Sequence, residues 1–124
     1  MAIERFEEIE SWQLARRLTT AVYGIWDVDR RPRDFALQDQ MVRAAGSVMH
    51  NIAEGFDSGS NAEFMRFLSY AKRSCSEVQS QLYVALDRGY IERPLFDELY
   101  ELSRLTRAKI GAFMNYLNQH SRSR

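Results

Sequence analysis

Two prolines, Pro32 and Pro94, are the only ones in 124 residues, and the stretches free of breakers are long. Within them apolar residues recur at alternating three- and four-residue steps, the spacing that lines up one face of an α-helix. Ala15, Leu18, Val22 and Ile25 define a first helix over 9–26. The charged run Asp27-Val-Asp-Arg-Arg-Pro-Arg-Asp34 ends it. Leu37, Met41, Ala45, Val48 and Ile52 define a second over 35–56, which Gly55 and Asp57-Ser-Gly59 are expected to stop. Ser60-Asn-Ala-Glu63 is a capping-box pattern. It opens a third helix over 61–88 with the stripe Phe64, Phe67, Ala71, Cys75, Val78, Leu82 and Ala85, and Gly89 is its natural stop. Pro94 suits the first turn of a fourth helix over 94–119, whose stripe is Leu95, Leu99, Leu102, Thr106, Ile110, Phe113 and Leu117. Ser121–Arg124 reads as a frayed tail. No strand pattern competes. The spacing predicts an all-α chain, one domain over 1–124, folded as an antiparallel up-down four-helix bundle.

Charge and cysteine content narrow the class. Seventeen Lys and Arg balance seventeen Asp and Glu, so the formal net charge is zero, whereas a dedicated nucleic-acid binder is usually basic. The single cysteine, Cys75, permits no internal disulfide and fits a reducing, cytoplasmic setting. No apolar run is long enough to span a bilayer. The acidic start, MAIERFEEIE, lacks the apolar core of a secretory signal.

The second helix contains a puzzle, the segment Arg43-Ala-Ala-Gly-Ser-Val-Met-His-Asn-Ile-Ala-Glu-Gly55. Gly, Ser and Asn lower helix propensity, so their presence asks for a reason. Gln40, Arg43, Ser47, Asn51 and Glu54 form one polar line beside the apolar stripe. Arg66, Tyr70, Arg73, Glu77, Gln81 and Arg88 form another on the third helix, with Ser74 and Ser80 at its border. One reading has both lines facing water. The other has them facing each other as a half-buried network, within the bundle or between subunits. Arg43 and Arg73 then pair with Glu77 and Glu54, and Ser47 and Asn51 bridge them. The second reading predicts Arg43, Asn51, Glu54 and Glu77 to be mostly buried.

The blocks Gln40-x-x-Arg43-Ala-Ala-x-Ser47, Asn51-Ile-Ala-Glu-Gly55, Glu63-Phe-x-Arg-Phe-Leu68 and Ala71-x-x-Ser74-x-x-Glu77-x-x-x-Gln81-Leu82 resemble the four-helix-bundle proteins named for intervening sequences in 23S rRNA genes. Phe6 ahead of Trp12-x-x-Ala15, and Gly89-Tyr-Ile91 before the last helix, fit the same pattern. Met49-His50 stands where many relatives have Pro-Ser. The resemblance implies a ring-shaped homopentamer and no enzymatic activity. A related branch serves diversity-generating retroelements, contacts nucleic acid and a reverse transcriptase, and is strongly basic, from which a net charge of zero departs.

Chemistry-bearing patterns are sparse. His50 and His120 lack the Glu three positions earlier that a di-iron bundle requires, and one Cys with two distant His gives no zinc spacing. No metal, cofactor or catalytic residue is expected. Arg16, Arg17, Arg30, Arg31, Arg104, Arg107 and Lys109 are the candidate phosphate contacts, and binding is expected to be weak because no excess charge exists to release counterions. Fifteen residues are aromatic (two Trp, six Tyr, seven Phe). Of these, Trp12, Tyr23, Trp26, Tyr70, Tyr83, Tyr90, Tyr100 and Tyr116 lie off the stripes, which predicts aromatic surface available to other subunits. The expectation is a non-enzymatic, homo-oligomeric scaffold or adaptor with itself and an unknown protein as partners. The alternative is a nucleic-acid-binding accessory factor of an rRNA insertion or retroelement.

Overall fold

The computed structural model describes residues 2–28 and 34–122. A single 3-10 turn, Phe6–Glu8, precedes four helices: α1 Glu10–Trp26, α2 Phe35–Asp57, α3 Asn61–Asp87 and α4 Arg93–Arg122. Each helix packs on the next, and α4 returns to α1. The ordering of cross-helix bonds gives direction. Ser74 of α3 meets Ser47 of α2, and seven residues later Gln81 meets Gln40, seven residues earlier. Partners that climb one helix while descending the other define antiparallel neighbours. The short turns between α2, α3 and α4 impose that arrangement. Among the described residues there is no strand, and the chain is an all-α four-helix bundle.

Start and stop signals behave as local chemistry dictates. Asp34 caps α2 by accepting from the Leu37 N–H at 3.1 Å, and its other oxygen accepts from the Tyr90 hydroxyl at 2.9 Å. The backbone bond first, and the Tyr90 bond second, hold the Asp34 carboxyl below its ordinary range. Ser60 caps α3 by accepting from Glu63 N–H at 3.2 Å, but Glu63 does not reciprocate; it pairs with Arg66 at 2.7 Å. Gly89, with φ of 75°, closes α3 in a Schellman turn: Tyr90 N–H reaches Ala85 O and Gly89 N–H reaches Leu86 O.

The core divides into two clusters along the bundle. One gathers Leu18, Val22, Met41, Val78, Leu82 and Leu99, with Trp26 closing the end. The other gathers Ala15, Val48, Ile52, Phe64, Leu68 and Ile110, with Trp12 near the edge. The stripes of α1 and α2 are buried as spaced. Those of α3 and α4 are corrected at a few positions. On α3, Leu68 is inside and Phe67 lies on the flank. On α4, Phe96 and Ser103 are buried, whereas Leu95 and Leu102 are only partly so. The Ser103 hydroxyl donates to the Cys75 carbonyl at 3.0 Å, so a small polar residue occupies a core position without an orphaned donor. Trp12 and Trp26, expected at the surface, are buried, because each packs into one of the two core clusters. The exposed rings are Tyr23, Tyr83, Tyr116 and Phe35, the last 68% accessible.

Candidate interaction surface

Helix propensity argues against Ser47 and Asn51 in mid-helix, and the structure supplies the compensation. Asn51 Nδ2 donates to the Ser47 carbonyl at 2.8 Å and to Ser47 Oγ at 2.9 Å. Ser74 Oγ, from α3, donates to the same Ser47 Oγ at 3.0 Å. Two serines meeting across the seam let α2 and α3 approach closely. On the other side, Thr19 Oγ1 of α1 lies 2.9 Å from its own helix's Ala15 carbonyl and 3.1 Å from the Ala45 carbonyl of α2. Polar groups therefore link α2 to both neighbours at the level of Ala45 to Ser47.

Within the protomer, the wider network is corrected. Of the residues expected in it, Ser74 is buried and Ser47, Asn51 and Gln81 are half-buried. Gln40, Arg43, Glu54, Arg73 and Glu77 are exposed. Arg43 pairs within its own helix, with Asp39 at 2.9 Å. Arg73 lies over the Tyr70 ring, 5.1 Å from its centroid. The expected Arg43–Glu77 and Arg73–Glu54 pairs are absent among the described residues. The reason is length. Short Ser side chains bring the backbones together, and long charged ones are then displaced outward to water, where their ions remain solvated. For the protomer, Glu54→Ala is expected to change the unfolding free energy by less than about 0.5 kcal/mol, the range of surface substitutions. A urea titration at fixed protein concentration checks it; a loss of about 2 kcal/mol would restore the buried network.

The outward ridge of α2 stands between two hollows. Toward α1 lies one of about 640 Å³, with Tyr23, Val42, Gly46 and His50 in its walls. Toward α3 lies one of about 450 Å³, with Gln40, Ala44, Ser74 and Gln81 in its walls. Arg43 and Ser47 border both. Gly46 is not required by packing within the protomer. An added Cβ would meet only the His50 ring at 3.7 Å, an ordinary contact. Gly55 is the opposite case. Its Cβ would sit 2.8 Å from Phe64 Cδ1 and 2.8 Å from Phe67 Cβ. Gly55 therefore does not stop α2, which continues to Asp57; it lets α3 pass close by.

The basic candidates do not converge. Arg16 and Arg17 are exposed on α1, and Arg107 on α4. Arg104 pairs with Glu101 through Nε at 2.9 Å, which holds the Glu101 carboxyl below its ordinary range. Lys109 Nζ lies 2.9 Å from Glu10. Arg30 and Arg31 fall outside the described residues. α4, basic in sequence toward its end, is thus partly neutralised by neighbours. No helix of the described residues is long and apolar enough to cross a membrane, and no metal-holding cluster of His, Cys, Asp and Glu occurs among them.

Cys75 is fully buried, and burial pushes its thiol up to about 12. A thiol so protonated is a core residue rather than a nucleophile. It is expected to resist a thiol-specific chromogenic reagent at mildly alkaline pH and to react at once in denaturant. Fast reaction of the folded protein would contradict its burial.

A solved structure from Bacteroides thetaiotaomicron, described as a protein of unknown function from the S23 ribosomal protein family, superposes with a TM-score of 0.77 at 18% identity. The match covers 84% of this chain and 97% of that one, which establishes the shared fold. A search of curated proteins gave no match. The sequence profile of the 23S rRNA-intervening sequence protein family matches residues 7–112. Spanning most of all four helices, that match means that the chain belongs to the 23S rRNA-intervening sequence protein family.

Proposed function

We propose that this protein is a non-enzymatic scaffold or adaptor that works as a homo-oligomeric ring, with five subunits as the expected closure. Gly46 carries the reading. In a helix interior Gly is less favourable than Ala by about 1 kcal/mol. Here it sits on an outward ridge with no contact in its own protomer that demands it. A glycine in that position admits the close approach of a second chain. Tyr23, in the wall of the hollow beside it, is 52% accessible, the kind of amphipathic ring that subunit interfaces cover. Tyr83 and Tyr116 are exposed elsewhere, on α3 and α4. Rings exposed on several helices suit a heterologous contact, which uses two different faces of each copy and closes into a ring.

Light scattering at micromolar concentration tests this. The expected mass is a multiple of the 14.5 kDa chain, about five-fold if the ring closes as proposed. A mass equal to the single chain would overturn the assembly, and a dimer would overturn the ring alone.

The second reading, a nucleic-acid-binding accessory factor, draws on the family's name and on exposed Arg16, Arg17 and Arg107. Submicromolar binding to rRNA or DNA at about 0.15 M salt, where exposed charges are well screened, would favour it over the scaffold.

A further inference from the structure

The seam between α1 and α4 brings the fewest residues together of the four. No hairpin joins these two helices directly, since they are the first and last of the bundle. The register of α4 adds to the opening. With Phe96, Leu99, Ser103 and Thr106 turned inward, Leu95 and Leu102 lie on the flank and are only partly covered. The result is a groove of about 550 Å³, with Ala21 and Leu102 as its apolar surface and the largely buried Trp12 at its floor. Arg16 and Arg17 stand on the α1 wall and Glu98 on the α4 wall. Arg16 lies over the Trp12 ring at 6.0 Å, which holds the guanidinium at the groove's edge. Neither arginine, nor Glu98, forms an ion pair among the described residues. The lining thus combines an apolar strip with two unneutralised positive charges against one negative.

We propose that this groove seats an amphipathic helix of a partner protein, apolar on the face that enters and acidic along the flank that meets Arg16 and Arg17. The inference rests on the adaptor reading and names the class of partner. Charge complementarity selects the occupant. A carboxylate beside Arg16 and Arg17 gains two guanidinium donors, whereas a basic helix would meet two like charges. The span from Trp12 to Thr20 corresponds to about two helical turns, so the contact is of the small, transient class.

The probe is a stapled helical peptide with a leucine face and glutamates along the flanks, compared with the same peptide carrying lysines. Binding is read by nuclear magnetic resonance on the full chain. The glutamate peptide is expected to bind about tenfold more tightly than the lysine peptide at low salt. Its shifts are expected at the Trp12 indole and the Leu102 methyls. Arg16→Glu combined with Arg17→Glu is expected to reverse the order of the two peptides. Both positions are exposed, and circular dichroism checks that the variant folds. If that variant does not fold, Arg16→Gln with Arg17→Gln is expected to erase the preference instead. Equal binding of both peptides, no binding up to millimolar concentration, shifts confined to α2 and α3, or an unchanged order in the variants would each overturn the proposal. So would a changed oligomeric mass for the charge-reversed variant, which would make the groove a contact between copies. The mass of the wild-type protein tests the assembly separately, so the two readings fail independently.

Discussion

Phe64→Ala is expected to lower the unfolding free energy by about 3–5 kcal/mol, the range for truncating a buried aromatic. Phe64 is only 4% accessible and belongs to the cluster that includes Ile52, Leu68 and Ile110. Its ring stands edge-on to Phe113 of α4 at 5.5 Å and to Phe56 of α2 at 6.1 Å. Removing it therefore empties a site shared by three helices. Helices on three sides cannot all close on the gap, so most of the cavity should persist. Urea denaturation at one fixed protein concentration measures the loss, since any assembly makes stability concentration-dependent. A loss below about 1 kcal/mol, the scale of an ordinary surface change, would mean that the aromatic cluster does not hold this end together.

Gly55→Ala is the second large effect, and its sign runs against propensity. Alanine in place of glycine in a helix is ordinarily stabilising by up to about 1 kcal/mol. Here the methyl would arrive 2.8 Å from two phenylalanines, and we expect a net destabilisation of about 1–3 kcal/mol from overpacking. Phe64 Cδ1 belongs to a ring packed against Phe56 and Phe113, which leaves it little room to give. Phe67 Cβ is fixed to the α3 backbone, so relief requires the helix itself to shift. The two substitutions should therefore couple. In the Phe64→Ala background the added methyl is expected to cost less, but not to become neutral, because Phe67 remains. Additive losses would count against direct contact. Gly46→Ala is the internal control: the same chemical change on the same helix, with only an ordinary contact to His50, should leave the protomer as stable or more so.

Helix identity was legible in the sequence because it depends on near neighbours. The three-four steps of α1 and α2 predict their buried faces, Ser60 and Gly89 predict ends, and Pro94 lies in the first turn of α4. The Asn51-Ile-Ala-Glu-Gly55 block and its companions carried the family resemblance, which the profile match over residues 7–112 bears out. Asp34 as the cap of α2 was missed, although an Asp directly before Phe35 and the first apolar turn is an N-cap signal.

Other features depended on which helices face each other, and no local pattern contains that. On α3, Phe67 and Leu68 are adjacent apolar residues, and spacing alone cannot choose between them; contact with the neighbouring helices put Leu68 inside. On α4, Leu102 is the more apolar choice, yet Ser103 takes the core position because the Cys75 carbonyl accepts its hydroxyl. The polar line of α2 was visible, but its depth was not. Burial there depends on how far each side chain reaches from a backbone held close by Ser47 and Ser74, so the short residues stayed in and Arg43 and Glu54 went to water. Gly46 and Gly55 look alike in sequence. Only the path of α3 past one of them makes that glycine a packing requirement and leaves the other facing outward.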